Sequence, residues 1–97
     1  MTKFKNSTNQ TILEIGTTTL FYQDASTLSQ AVTLEKEVEN IIFSLRGTAT
    51  NPRDQIDRYY AQLNWNNDPK TVCFIAKGSG FVNGHAMPLD FIVKYKN

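Results

Sequence analysis

Scarcity is the first feature of this 97-residue chain: it has one cysteine, one histidine, one tryptophan, three prolines and five glycines. A lone Cys73 forbids an internal disulfide, so the fold needs no oxidising compartment. One cysteine with one histidine falls short of any structural zinc set, and the acids Asp54, Asp57, Asp68 and Asp90 match no EF-hand spacing. No apolar run approaches the roughly 18 residues of a membrane span, and no such run follows the lysines of MTKFKNSTNQ to make a secretory signal. The sequence therefore reads as an intracellular product with no membrane partner.

Charge of one sign is also missing. Lys and Arg number 10 against nine acids, a formal net charge of +1, which argues against a general phosphate-backbone binder and against a nucleic-acid mimic. Nucleic acid is not an expected partner. A hydrophobic fraction of 40% with 20% charged residues is ordinary for one globular domain. Residues 1–10 read as a flexible polar lead-in and 11–97 as the domain.

The richest segment is LSQAVTLEKEVENIIFSLRG, residues 28–47, because it fits two periodicities. At helical spacing Ala31, Leu34, Val38, Ile41 and Leu45 line one face, with Asp24 or Ser26 as a cap and Gly47 as the stop. At period two, Val32 and Leu34 belong to one strand, while Ile41, Phe43 and Leu45 belong to a second. The branched residues Val32, Thr33, Val38, Ile41 and Ile42 favour strands, since they lose rotamer freedom in a helix. Phe43 falls on the polar side of the helix but joins Ile41 and Leu45 on a strand face. This reading makes Glu35-Lys36-Glu37 the charged tip of a hairpin.

Elsewhere the pattern is consistently β. Thr11–Ile15 and Thr17–Tyr22 are strands separated or bulged at Gly16. Tyr59, Ala61, Leu63 and Trp65 alternate with Tyr60, Gln62 and Asn64, and Asn66-Asn67-Asp68-Pro69 supplies turn chemistry. Lys70–Lys77 is an apolar strand, Gly78-Ser79-Gly80 a turn, Phe81–Ala86 a short irregular strand, and Leu89–Lys96 the closing strand. Strand signals every eight to twelve residues predict an all-β, antiparallel β-sandwich or jelly-roll-like domain. The competing α+β arrangement puts helices at 27–46 and 53–64, the second beginning at Asn51-Pro52, against an antiparallel sheet.

Few residues offer chemistry. His85 stands beside the turn-prone Asn83-Gly84 with no Ser or Cys at dyad spacing, and reads as a structural histidine. Cys73 lies within Val72-Cys73-Phe74-Ile75 and reads as a core thiol. Arg53, Asp54, Asp57 and Arg58 read as a solvated polar edge, with calcium binding a remote alternative. No catalytic, cofactor-binding or metal site is expected, and the chain is not read as an enzyme. Candidate interface residues are Tyr22 and Tyr60, as aromatics able to reach the surface, and the acids Glu35, Glu37 and Glu39. Tyr59 and Trp65 share a strand face and read as core.

The stretches GTTTLFY (16–22), AVTL (31–34) and VENIIFSLRG (38–47) resemble small β-modules of bacteriophage tail and fibre proteins, where a TTLF strand, a VTL strand and an IIFxLRG strand follow in this order. The resemblance implies a β-sandwich in a virion component such as a head decoration, neck or tail protein, with no catalytic residue to carry over. The chain departs from the fibre pattern in lacking a trimerising stalk and in its FIVKYKN ending, which favours a free-standing accessory subunit. Its implied partners are other virion subunits or itself, as a homo-oligomer or part of a larger assembly. Its implied location is the virion, after synthesis in the bacterial cytoplasm. A second reading is a small α+β inhibitor or immunity-type protein, cytoplasmic, that blocks a nuclease or defence complex through the acidic face of Glu35, Glu37 and Glu39.

Overall fold

The computed structural model describes residues 1–46 and 53–96; Gly47, read above as a helix stop, and Asn51-Pro52, read as a helix start, lie outside the described residues. Seven strands follow one another: β1 (Thr2–Lys5), β2 (Thr11–Asp24), β3 (Thr27–Thr33), β4 (Val38–Leu45), β5 (Ile56–Gln62), β6 (Thr71–Gly78) and β7 (Ala86–Tyr95). Two single 3₁₀ turns, Arg53–Gln55 and Trp65–Asn67, are the only helical pieces among the described residues. The all-β antiparallel class implied by the alternation is the observed one. The helices of the α+β alternative at 27–46 and 53–64 do not form: β3, β4 and β5 occupy those residues.

One antiparallel sheet, in the order β4-β7-β2-β3-β6-β5, curls until it nearly closes into a barrel. The two covered layers expected of a sandwich are thus supplied by one sheet folded on itself. Strand β2 explains the curl. At fourteen residues it is long enough to pair β1 along its first part and β3 along its last, while β7 runs beside it from Leu13 to Phe21 on the other edge. Gly16 does not divide β2 into two strands. It leaves the strand continuous and opens space inside, where a Cβ would stand 2.5 Å from Cζ of Phe91.

The lead-in at residues 1–10 carries structure that its polarity concealed. Strand β1 pairs Thr2 with Ile15, Lys3 with Glu14 and Phe4 with Leu13. A turn organised by the Asn6 side chain, which accepts from the backbone N–H groups of Thr8 and Gln10, returns the chain to β2. Asn and Thr here act through turn chemistry rather than disorder.

Over its described residues, 28–46, the ambiguous segment forms two strands, but not a hairpin. Strand β3 pairs with β2 and β6, whereas β4 lies at the far edge against β7. Residues 34–37 cross one mouth of the barrel. The N–H of Leu34 donates to Lys70 O, that of Val38 to Pro69 O, and that of Lys96 to Glu37 O, so the crossing is pinned on both sides. Leu34 and Val38 drop their side chains into the core. The helical spacing of Leu34 and Val38 thus reflects two inward anchors flanking a bridge.

At the opposite mouth no strand forms over residues 79–85, where Phe81–Ala86 looked like one. Phe81 turns inward and is buried, and its N–H donates to Ala25 O. Gln55 braces this loop, its Nε2 donating to the carbonyls of Ser79 (3.1 Å) and Gly80 (2.8 Å). Between the mouths, Leu20, Leu28, Val72, Phe74, Ala76, Met87, Leu89, Phe91 and Val93 fill the interior. Strands β4 and β5 share no ladder. Their rings bridge the seam instead, with Tyr59 and Phe43 at 5.3 Å, Phe43 and Phe74 at 5.0 Å, and Phe74 and Phe91 at 5.4 Å between centroids.

Tyr59 and Trp65 are not the core pair that their spacing implied. Tyr59 faces inward but is 44% exposed because it stands at the open seam. Trp65 has left the strand for a turn in which Asn64, Asn66 and Asn67 all take left-handed backbone, a conformation Asn tolerates better than other side chains.

Candidate interaction surface

The inward and outward phases of β2, β7 and β4 are set by register. Inward lie Glu14, Gly16 and Leu20 of β2, Phe91, Val93 and Tyr95 of β7, and Leu45 of β4, all buried. The outward phase then places Ile15 beside Ile92 and Ile92 beside Ile42, three isoleucines abreast on adjacent strands. They remain 39%, 40% and 62% exposed respectively. Leu13 lies one step along β2 on the same face, and Phe4 of β1 is opposite it. An open groove of about 300 Å³ runs along this row, lined by Ile15, Ile42, Phe43, Ser44, Asp90 and Ile92 among others. Isolated exposed apolar residues are ordinary, but a contiguous set on the outer face of a sheet marks a contact surface.

Charges flank the row on both sides, one pair toward each end of the strands. Arg46 Nε stands 3.0 Å from Asp90 Oδ2 at one end, and Lys94 Nζ 3.0 Å from Glu39 Oε2 at the other. Each end is locally neutral, with the cation just past the end of β4 at the first and on β7 at the second. Such exposed pairs add little stability. They do fix where each sign is presented.

The residues singled out from the sequence do not converge. Tyr22 points inward near the end of β2 and packs half-buried against the core. Tyr60 is on the outward face of β5, 39% exposed, across the open seam from β4. Glu35 and Glu37 sit on the bridge across the mouth and Glu39 at the start of β4. Each has a lysine beside it: Lys3 at 3.7 Å from Glu35, Lys96 at 3.9 Å from Glu37, and Lys94 beside Glu39. Of the five, Glu39 is the one tied by an ion pair, to Lys94, at the flank of the isoleucine row. Ile15, Ile42 and Ile92 were not anticipated, and the only local signal was an apolar residue in the polar phase of β4 and of β7.

The mouth beneath the bridge holds a buried polar pair. Glu14 is fully enclosed, its Oε1 accepts from the Tyr95 hydroxyl at 2.5 Å, and its Oε2 has no hydrogen-bond partner among the described residues. Burial, followed by the bond to Glu14, pushes the Tyr95 phenol well above its ordinary value. Lys3 lies opposite Glu14 in register, yet its Nζ is turned to Glu35.

His85 accepts the Val82 N–H at Nδ1 (3.2 Å) and sets its ring edge toward Phe81, a structural role in the loop. Cys73 is a buried free thiol whose pKa is pushed up by that burial. Among the described residues no three His, Cys, Asp or Glu side chains gather as they would around a metal ion. Comparison with protein-family models, with curated proteins and with solved structures yields no match in any of the three.

Proposed function

We propose that this chain is a non-enzymatic structural or accessory subunit of a bacteriophage virion, a head decoration, neck or tail component, that binds protein through the outer face of β2, β7 and β4. The observation that carries the binding role is the isoleucine row: three adjacent apolar side chains left on a sheet face whose opposite side already supplies the core. The virion context rests on the resemblance of residues 16–22, 31–34 and 38–47 to phage tail and fibre modules. It gains from the strand conformation of those segments over their described residues apart from Leu34 and Arg46. An inhibitor presenting Glu35, Glu37 and Glu39 is less well supported, because each carboxylate has a lysine within 4 Å, inside ion-pair range.

The test is mass spectrometry of purified phage particles from a host that carries this gene. Peptides of the chain at a stoichiometry comparable with other minor virion proteins are expected. Their absence from particles while they are abundant in the same lysate would remove the virion assignment.

A further inference from the structure

We propose that the isoleucine face binds a second copy of this chain, in a face-to-face dimer whose two-fold axis runs along the Ile15–Ile92–Ile42 row. The inference rests on the reading of that face as a contact surface and names its partner.

The argument is one of charge and register. On β7, Asp90 and Lys94 stand two residues to either side of Ile92, about 7 Å each way at the usual strand rise. Arg46, just past the end of β4, lies beyond Ile42 toward the Asp90 end, and Glu39 at the start of β4 lies beyond it toward the Lys94 end. A two-fold axis along the row exchanges the two ends while keeping each strand over its own copy. Ile15, Ile92 and Ile42 then meet their own counterparts. Asp90 comes to lie over Lys94 of the second copy, and the side chain of Arg46, four residues beyond Ile42, reaches toward its Glu39, three residues the other way at a bulge. All four charged side chains, already paired within one chain, gain an opposite charge across the interface, and symmetry repeats each contact.

The other face-to-face two-fold, with its axis along β7, places Asp90 over Asp90 and Lys94 over Lys94. Like charges facing one another across packed sheets disfavour that arrangement. The polar positions agree with the first orientation too, since Ser44 lies over Asn40. An isologous interface requires this kind of self-complementarity, in which one residue meets another and the reciprocal contact follows. A partner of strong single-sign charge would find both ends of this surface locally neutral.

Sedimentation equilibrium of the purified chain tests the proposal. The wild type is expected at twice the 11.0 kDa chain mass at high micromolar concentration. The double variant Arg46→Glu/Asp90→Lys keeps an ion pair within the chain but sets like charges against Glu39 and Lys94 of the second copy. It is expected to weaken dimerisation by at least about tenfold at low salt, with an unchanged far-UV circular dichroism spectrum. Adding Glu39→Lys/Lys94→Glu reverses the other end as well and is expected to restore the dimer. Ile42→Asp is expected to be monomeric and folded.

A wild-type chain that stays monomeric overturns the proposal, as does a dimer that tolerates Ile42→Asp. A quadruple variant that fails to recover dimerisation overturns the proposed orientation. The virion reading fails separately: a monomer still present in particles sinks only the self-pairing, and a dimer absent from particles sinks only the virion assignment.

Discussion

Glu14 and Tyr95 are a pair that no local pattern announces. In LEIG, residues 13–16, the apolar Leu13 and Ile15 alternate with Glu14 and Gly16, and alternation alone turns the isoleucine inward and the glutamate out. The structure does the reverse, because Tyr95 arrives from the other end of the chain to donate to the carboxylate and Phe91 takes the volume that Gly16 leaves empty. Tyr95→Phe keeps the ring but strips the Glu14 carboxylate of the one donor it has among the described residues. Its urea midpoint should correspond to a loss of about 1–3 kcal/mol, the usual penalty for orphaning a buried polar group. The pH dependence has a definite sign. The folded phenol binds its proton more tightly than the unfolded one, so its contribution is complete below about pH 10 and is lost as pH rises through the folded value. The wild type should therefore lose stability above that pH with a steeper slope than Tyr95→Phe. Equal slopes would show that the phenol is not held protonated by the fold.

Gly16 gives the second residue-scale prediction. In most strands Gly→Ala is mildly stabilising, since it narrows the unfolded ensemble. Here the new Cβ would meet Cζ of a buried Phe91 at 2.5 Å, and the ring cannot withdraw without disturbing Phe74. Gly16→Ala should destabilise by about 1–3 kcal/mol, the range for overpacking a filled core. Phe91→Leu in the same chain should recover part of that loss, so that a double-mutant cycle by thermal unfolding reads less than the sum of the two. A neutral or stabilising Gly16→Ala would place the glycine there for some other reason.

At the scale of elements, strand identity was legible and strand neighbours were not. Phe43 and the branched residues of 28–47 disclosed two strands, yet nothing in a period of two states which strand lies alongside. The bridge at 34–37 therefore looked like a hairpin tip, although it carries the chain across the barrel mouth to the opposite edge. The isoleucine face was hidden for the same reason, since positions 15, 42 and 92 become neighbours only through register. Strand position also sets local stability. Strand β7 is paired on both sides, and its inward side chains Met87, Leu89, Phe91, Val93 and Tyr95 are all buried. Strand β1 is paired on one side and wholly exposed. Hydrogen exchange should find β7 amides slowest, close to the global unfolding free energy, and β1 amides among the fastest of the paired ones. Equal protection in β1 and β7 would mean that the N-terminal strand is integral to the cooperative unit.

For the whole molecule, the order of the strands determines how the chain must search for its fold. Local pairing is available to β1 with β2, β2 with β3, and β5 with β6. The barrel needs three more ladders between distant segments: β3 with β6, β2 with β7, and β4 with β7. The last two both depend on the final strand, which contributes Phe91, Val93 and Tyr95 to the core and the central member of the isoleucine row. A chain that has formed its local hairpins still lacks one wall of its interior. It must close loops of roughly forty to eighty residues before that burial stabilises it, and the closure entropy comes first. Refolding on dilution from urea should accordingly take milliseconds to seconds, within the range of other all-β domains of non-local topology, and not microseconds. Stopped-flow fluorescence of Trp65, beside the start of β6, should rise with the same single rate as far-UV circular dichroism, because no compact subset of strands encloses the core without β7. A faster Trp65 phase, complete before the circular dichroism signal develops, would instead show that β5 and β6 fold as an independent unit to which the β4-β7-β2 wall is added afterwards.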